Sequence, residues 1–425
     1  MEISLKNKTL ITESLRFIPL FVIYISIALI FSQNTFQGDE GRYISFAENL
    51  LNGYYAKPGL RPGFLWNGPG YPIIISPFIY FKIPLIIIKL LNSVFLFIGV
   101  VFLYKSFRFK LDNKKSLILA YAAGLTHPYF FRAITLILTE ALSFFLICFS
   151  LFYFLKYIQR KKLNDLVVFS FGAGLLMLTK VFFSYIFLSL GILSIFTLSF
   201  FKLKKESITY LKLSFFPFIL CIPYLLYTYN ITGKIFYWSD AGGSTLYSMS
   251  TPYENEYGDW FPADSRALIP VESKFVKNNR NVVKENHSDF LMSLEKLNGV
   301  EKDSKLKEKA LSNIKHNPLK YFKNIIYNFS RMAFRYPFTR FESLPILIVI
   351  SVFHFSFLFV PLIYSILMIV SERKKQFIIP LIFFSIYLGG SLLVSSTVRF
   401  VFPVYPIIFY IISAILIEKK WNLKK

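Results

Sequence analysis

Ten apolar stretches dominate this 425-residue chain, near 15–33, 84–106, 115–132, 134–157, 165–179, 181–201, 207–228, 344–370, 376–395 and 400–417. Most are long enough to cross about 30 Å of hydrocarbon. A water-soluble fold of this length would need far more polar surface than a chain that is 55% hydrophobic and 17% charged can supply. The expectation is an all-α polytopic membrane protein with about ten transmembrane helices, interfacial helices and a mixed extracytoplasmic loop region. The 165–201 region is too long for one span, and Lys180 divides it, so two short helices are expected to meet at that residue.

The net charge of +24 reads differently in such a chain than in a soluble one. Basic clusters fill the short connections: Lys105, Arg108, Lys110, Lys114 and Lys115; Lys156, Arg160, Lys161 and Lys162; Lys202, Lys204 and Lys205; Arg373, Lys374 and Lys375. All fall on the face of the N-terminal Lys6 and Lys8, which the positive-inside rule makes cytoplasmic. Both termini are then cytoplasmic, in a plasma (inner) membrane. No motif for nucleic acid is present. Cys148 and Cys221 lie inside apolar runs, which suits packing and provides no disulfide framework or cysteine-based metal site. The expected organisation is an N-terminal transmembrane catalytic module, 1–228, carrying a first outer loop, 34–83; an extracytoplasmic region with an interfacial helix, 229–343; and C-terminal transmembrane helices, 344–425. No short-period repeat is visible.

Asp39 and Glu40 are adjacent carboxylates just where the first apolar run ends. Acids there can cap the amphipathic helix that follows and ends near Gly53. They can also hold a general base at the membrane surface. Glu140 is expected about two turns into the span starting near Ile134, where a carboxylate is expensive and marks a functional interior; a satisfied contact between helices is the plainer alternative. Lys180 and Arg399 join spans on the same outer face, and His127 and Arg132 sit in the turn before Glu140. Each cation can also snorkel to headgroups. Together they outline an outer-leaflet cavity suited to a phosphate and a hydroxyl.

The stretches "GDEGRYISFAENLLNG", "WNGPGYPIII", "LTEAL", "LTK", "NITGK…SDAGGSTLY…TP", "HNPLKYF" and "VRFVFPVYP" occur in this order along the chain. In this the chain resembles the GT-C glycosyltransferases, in the bacterial branch related to protein O-mannosyltransferases and the lipid A aminoarabinose transferase. The resemblance implies a catalytic Asp39 with Glu40, Arg42 and Tyr43 beside it, Glu140 as the second acid, Lys180 facing a lipid phosphate, and Arg399 in an Arg-aromatic motif before the last helix's prolines; Arg42 or Arg399 could join Lys180 in stabilising the leaving phosphate. It implies an inverting transfer from a polyprenyl-phosphate-linked sugar, on a carrier such as undecaprenol, to a hydroxyl acceptor on a lipid, glycan or protein. One departure stands out. Asn67-Gly68-Pro69-Gly70 replaces a Glu-Lys-Pro-Pro of the aminoarabinose enzymes, removing an acid and a base. No cofactor is required, although Asp39, Glu40 and Glu140 would offer oxygen ligands to a divalent metal. A lipid-linked glycan polymerase or ligase, and a flippase or transporter, are the competing readings. The latter would carry an internal repeat and broken helices at mid-membrane.

Overall fold

A computed structural model describes residues 10–33, 35–57, 59, 61–200, 204–262, 274–335, 344–372 and 375–422. Lys6, Lys8, Lys202, Arg373, Lys374 and the segment 336–343 therefore lie outside the described residues. The chain is a multi-pass, all-helical membrane protein, and no strand occurs among the described residues.

Helices α1 (Leu10–Ser14) and α2 (Ile18–Phe31) join through a tight turn into one apolar span. Two shorter helices follow, α3 (Glu40–Leu51) and α4 (Gly70–Tyr80). The bundle then continues through α5 (Leu85–Phe107), α6 (Asn113–Leu125), α7 (Phe130–Thr135), α8 (Glu140–Arg160), α9 (Leu163–Thr179) and α10 (Phe182–Phe200). After it come α11 (Lys204–Phe215) and α12 (Phe218–Thr232), bent by 43° where Pro217 removes a backbone donor. Among the described residues, six helices are long and apolar enough to span a membrane, seven if that bent pair is one span. Three more apolar helices are shorter: α4, α9 and Ile378–Leu392.

The expected spans 115–132 and 134–157 take a different form. The first helix stops at Leu125, ahead of His127 and Pro128, and the short α7 follows. Leu136 is extended, and α8 starts only at Glu140. Glu140 is thus in the first turn of its helix and not two turns below its end. The extended stretch survives because other elements satisfy its backbone: Asn92 Nδ2 donates to the Leu136 carbonyl at 2.8 Å, and Glu40 Oε1 accepts the Ile137 N–H at 2.8 Å. α8 packs between α5 and α9. Gly99 makes the first of these contacts close, since a Cβ there would stand 2.8 Å from the Phe144 ring.

The region after α12 holds α13 (Ala241–Met249), α14 (Lys274–Ser293), α15 (Gly299–His316) and α16 (Pro318–Phe334). Asn298 and Glu301 form a reciprocal capping box at the start of α15. Tyr247, Phe261, Leu291, Leu294, Leu306 and Ala310 build a small core separate from the bundle's. Helix α16 is polar inward and apolar outward: Asn324, Asn328 and Arg331 are buried, whereas Leu319, Phe322 and Ile326 are exposed at helical spacing. Such a helix suits a lipid–water interface. Its buried side chains donate to the carbonyls of Met249, Thr251, Tyr257 and Gly258 on one loop and of Ser391, Leu392 and Val394 on another.

The chain ends with α17 (Leu344–His354), a π-turn and α18 (Val360–Glu372), then α19 (Ile378–Leu392) and α20 (Tyr405–Asn422). The last helix returns to pack on α5, α6 and α8. Two tight turns, Val398–Phe400 and Phe402–Val404, lead into it.

Candidate active site

Asp39 precedes α3 but its side chain does not cap that helix. Its carboxylate turns instead to two guanidiniums: Oδ2 is 3.0 Å from Arg399 Nη1, and Oδ1 is 3.4 Å from Arg42 Nη2. The side chain remains 25% exposed. Burial pushes its carboxyl up, but Arg399, Arg42 and Lys180 outweigh burial and hold it below the usual carboxylate range.

Arg399 also reaches Glu140, with Nε 3.1 Å from Oε1. The same oxygen receives Lys180 Nζ at 3.0 Å. Glu140 is fully buried, and its other oxygen, Oε2, has no hydrogen-bond partner. Its place at the N-terminus of α8 favours the negative charge. Lys180 sits where α9 gives way to α10, as its position between two apolar runs led us to expect. Asp39, Arg399, Glu140 and Lys180 thus form one continuous charged chain.

Glu40 faces elsewhere. It is fully buried, accepts the backbone N–H of Gln37 at 2.7 Å and of Ile137 at 2.8 Å, and lies 3.6 Å from Lys89 Nζ. Lys89 donates in turn to the Gln33 carbonyl at 2.7 Å. These contacts tie α3 to α5 and to the extended stretch before α8. The carboxylates of Asp39, Glu40 and Glu140 therefore do not converge on one point: an arginine stands between the first and third, and the second is turned into the protein. No cluster of three metal-ligating side chains occurs among the described residues.

Arg42 lies over the Trp66 ring at 5.1 Å and donates to Asn67 Oδ1 at 3.4 Å. Asn67 Nδ2 donates to the Tyr43 hydroxyl at 3.1 Å, and the Tyr43 ring is buried edge-on against Tyr71. The Asn67–Gly70 turn presses on the end of α9. A Cβ on Gly68 would come within 2.1 Å of the Leu178 carbonyl, and one on Gly70 within 2.5 Å of Thr179 Oγ1. The departure from Glu-Lys-Pro-Pro thus has a packing role: it seats the turn directly beside Lys180.

His127 and Arg132 do not join this chain. His127 is buried among Phe353, His354, Phe402 and Tyr405. Arg132 is exposed and lines a cavity of about 310 Å³ with Gln33, Gln37 and Phe131. Sequence reasoning missed Lys89, Asn92 and Trp66. The first two carried a readable signal, polar residues inside the apolar run 84–106.

Residues 77–227 match the model of one family, dolichyl-phosphate-mannose-protein mannosyltransferase. The resemblance to GT-C glycosyltransferases that the motifs suggested is thereby reinforced. Two solved structures are similar over most of this chain. One is the archaeal oligosaccharyltransferase AglB from Archaeoglobus fulgidus, in complex with an inhibitory peptide and a dolichol-phosphate, at 13% identity and TM-score 0.46; the match covers 96% of this chain and 51% of that one. The other is ArnT from Cupriavidus metallidurans bound to undecaprenyl phosphate, at 13% identity and TM-score 0.40, covering 94% of this chain and 77% of that one. The present chain thus spans about half the length of AglB. No curated protein sequence matches it.

Proposed function

We propose that this protein is an integral-membrane glycosyltransferase that moves a sugar from a polyprenyl-phosphate donor to a hydroxyl acceptor at the extracytoplasmic face, with inversion. The observation that carries this reading is the bridge from Asp39 through Arg399 to Glu140 and Lys180. It joins a partly exposed carboxylate, through a comparably exposed arginine, to a fully buried carboxylate and a half-buried lysine beside a membrane bundle.

The chemistry follows from those groups. Asp39 takes the acceptor hydroxyl's proton as its oxygen attacks the anomeric carbon. The bond from that carbon to the phosphate oxygen breaks, and its electron pair leaves with the lipid phosphate. Lys180 and Arg399 meet the charge that develops there, in a site dry enough for the interaction to be strong. One displacement inverts the anomeric centre. Those cations are engaged by carboxylates. A donor phosphate competes for Arg399 and releases Asp39 Oδ2, so the donor binds first and uncovers the base. Glu140 keeps the two cations in place. The basic connections then face the cytoplasm with both termini, and the membrane is the plasma (inner) membrane. The modules 1–228, 229–343 and 344–425 supply the base, the outer covering and Arg399 respectively.

The test is Asp39→Asn in protein reconstituted with a polyprenyl-phosphate sugar. The variant should fold and insert normally and lose transfer by at least about 10³-fold. Full activity in that variant would falsify the assignment of Asp39 as the base.

A further inference from the structure

The chain has four tryptophans, and two of them meet on the Arg42 side of Asp39. Trp66 and Trp260 stand 6.4 Å apart, centroid to centroid, with their planes at 77°. The rings meet edge to face, and Arg42 covers one face of Trp66. Both rings are half-buried, and neither indole N–H has a protein acceptor among the described residues. The corner is held from several directions. Ser239 Oγ donates to the Trp66 carbonyl at 3.0 Å, the Asp240 N–H donates to the Leu65 carbonyl, and the Gly63 N–H donates to Asp240 Oδ2 at 2.7 Å. On the other side, Arg331 of α16 donates to the Tyr257 and Gly258 carbonyls just ahead of Trp260. A rigid aromatic corner with unused donors and a nearby charged group is the composition of a small-ligand subsite.

A pyranose suits such a corner. Its axial C–H groups present an apolar face to an indole while its hydroxyls take hydrogen bonds from ring N–H groups at the edge. The two oxygens of Asp39 indicate which sugar. Oδ2 faces Arg399, on the side of the phosphate-binding cations. Oδ1 faces Arg42, which lies on Trp66. A ring in the corner is therefore on the side away from the leaving group. We propose that Trp66 and Trp260 bind a sugar ring of the acceptor, which makes the acceptor a carbohydrate hydroxyl. This rests on the transferase reading for the direction of transfer, but the binding itself does not.

The test is saturation-transfer NMR on the full chain in nanodiscs with a panel of methyl glycosides and no lipid donor. The gluco, galacto, manno and N-acetylglucosamine forms in both anomers should include at least one saturable binder. Trp66→Ala and Trp260→Ala should each weaken it by about tenfold, roughly one hot-spot contact. Trp66→Phe should retain part of the affinity, which separates a lost ring face from a misfolded loop. No binding by any glycoside, or binding unchanged in both alanine variants, overturns the proposal. If the ring is recognised only when attached to a polyprenyl phosphate, the corner holds the donor's sugar and the proposal is equally overturned. Since this assay measures no turnover, its outcome is separate from that of the Asp39→Asn transfer assay: glycoside binding through both tryptophans without transfer would remove the transferase reading and leave the binding corner standing.

Discussion

Asp39 and Glu40 are neighbours with opposite duties. Glu40 serves as an internal clamp for two backbone N–H groups and a buried lysine. Removing it as Glu40→Ala leaves those donors unpaired, and a loss of about 3 kcal/mol is expected, visible as a lower unfolding temperature in detergent. Asp39→Asn should lower that temperature less, because Asp39 is partly exposed and its loss leaves Arg399 paired with Glu140. The pH dependence of catalysis belongs to the same scale. Because cations hold Asp39 below the ordinary range, its ionised form persists as pH falls, and the acid limb of kcat/KM should lie below that of an ordinary carboxylate. The sign follows directly: activity is present above the folded-state value and is lost as pH drops through it. In Arg42→Gln one of the opposing cations is gone while burial remains, so the limb should move to higher pH. A limb that moves lower, or does not move, would count against the pairing. At this scale the sequence was informative about residue type and silent about direction. Two adjacent acids were readable as a pair, but which carboxylate turned outward depended on Ile137, Lys89 and Arg399, all distant along the chain.

Between helices, the decisive junctions are the short breaks. The meeting of α9 and α10 at Lys180 was legible because a lone lysine interrupted a long apolar run. The break before Glu140 was not. Its backbone is satisfied by Asn92 and Glu40 from other elements, and local periodicity carries no record of such partners. His127 and Pro128 were the available warning that one helix stopped early. The Asn67–Gly70 turn makes a testable claim at this level. In Gly68→Ala the new methyl would meet the Leu178 carbonyl, and backbone cannot yield as a flexible side chain can. A destabilisation of roughly 1–3 kcal/mol is expected. Because the displaced end of α9 carries Lys180, the donor's KM should rise more than the acceptor's. Steady-state kinetics with each substrate varied in turn would check this, and an equal rise for both would separate the turn from the lysine.

For the molecule as a whole, the apolar runs and their basic connections made the membrane class and the helical architecture readable from composition alone. The outer covering was less accessible, because its small core joins residues from Tyr247 to Ala310 without a long periodic pattern. The proposed orientation can be measured directly. Cys148 and Cys221 are buried, so background labelling by a membrane-impermeant thiol reagent should be low. Glu308→Cys, at an exposed site on α15, should label in intact cells, whereas Lys115→Cys should label only after permeabilisation. The reverse pattern would invert the topology and place the charged chain on the cytoplasmic side.

Asp39 and Arg399 are separated by 360 positions in the chain, yet they share a hydrogen bond. During synthesis the carboxylate leaves the ribosome long before its principal guanidinium. A nascent polypeptide thus holds Asp39 with Arg42 as its one local counter-charge, and the four-membered charged chain is complete only when the segment carrying Arg399 docks against its much older neighbours.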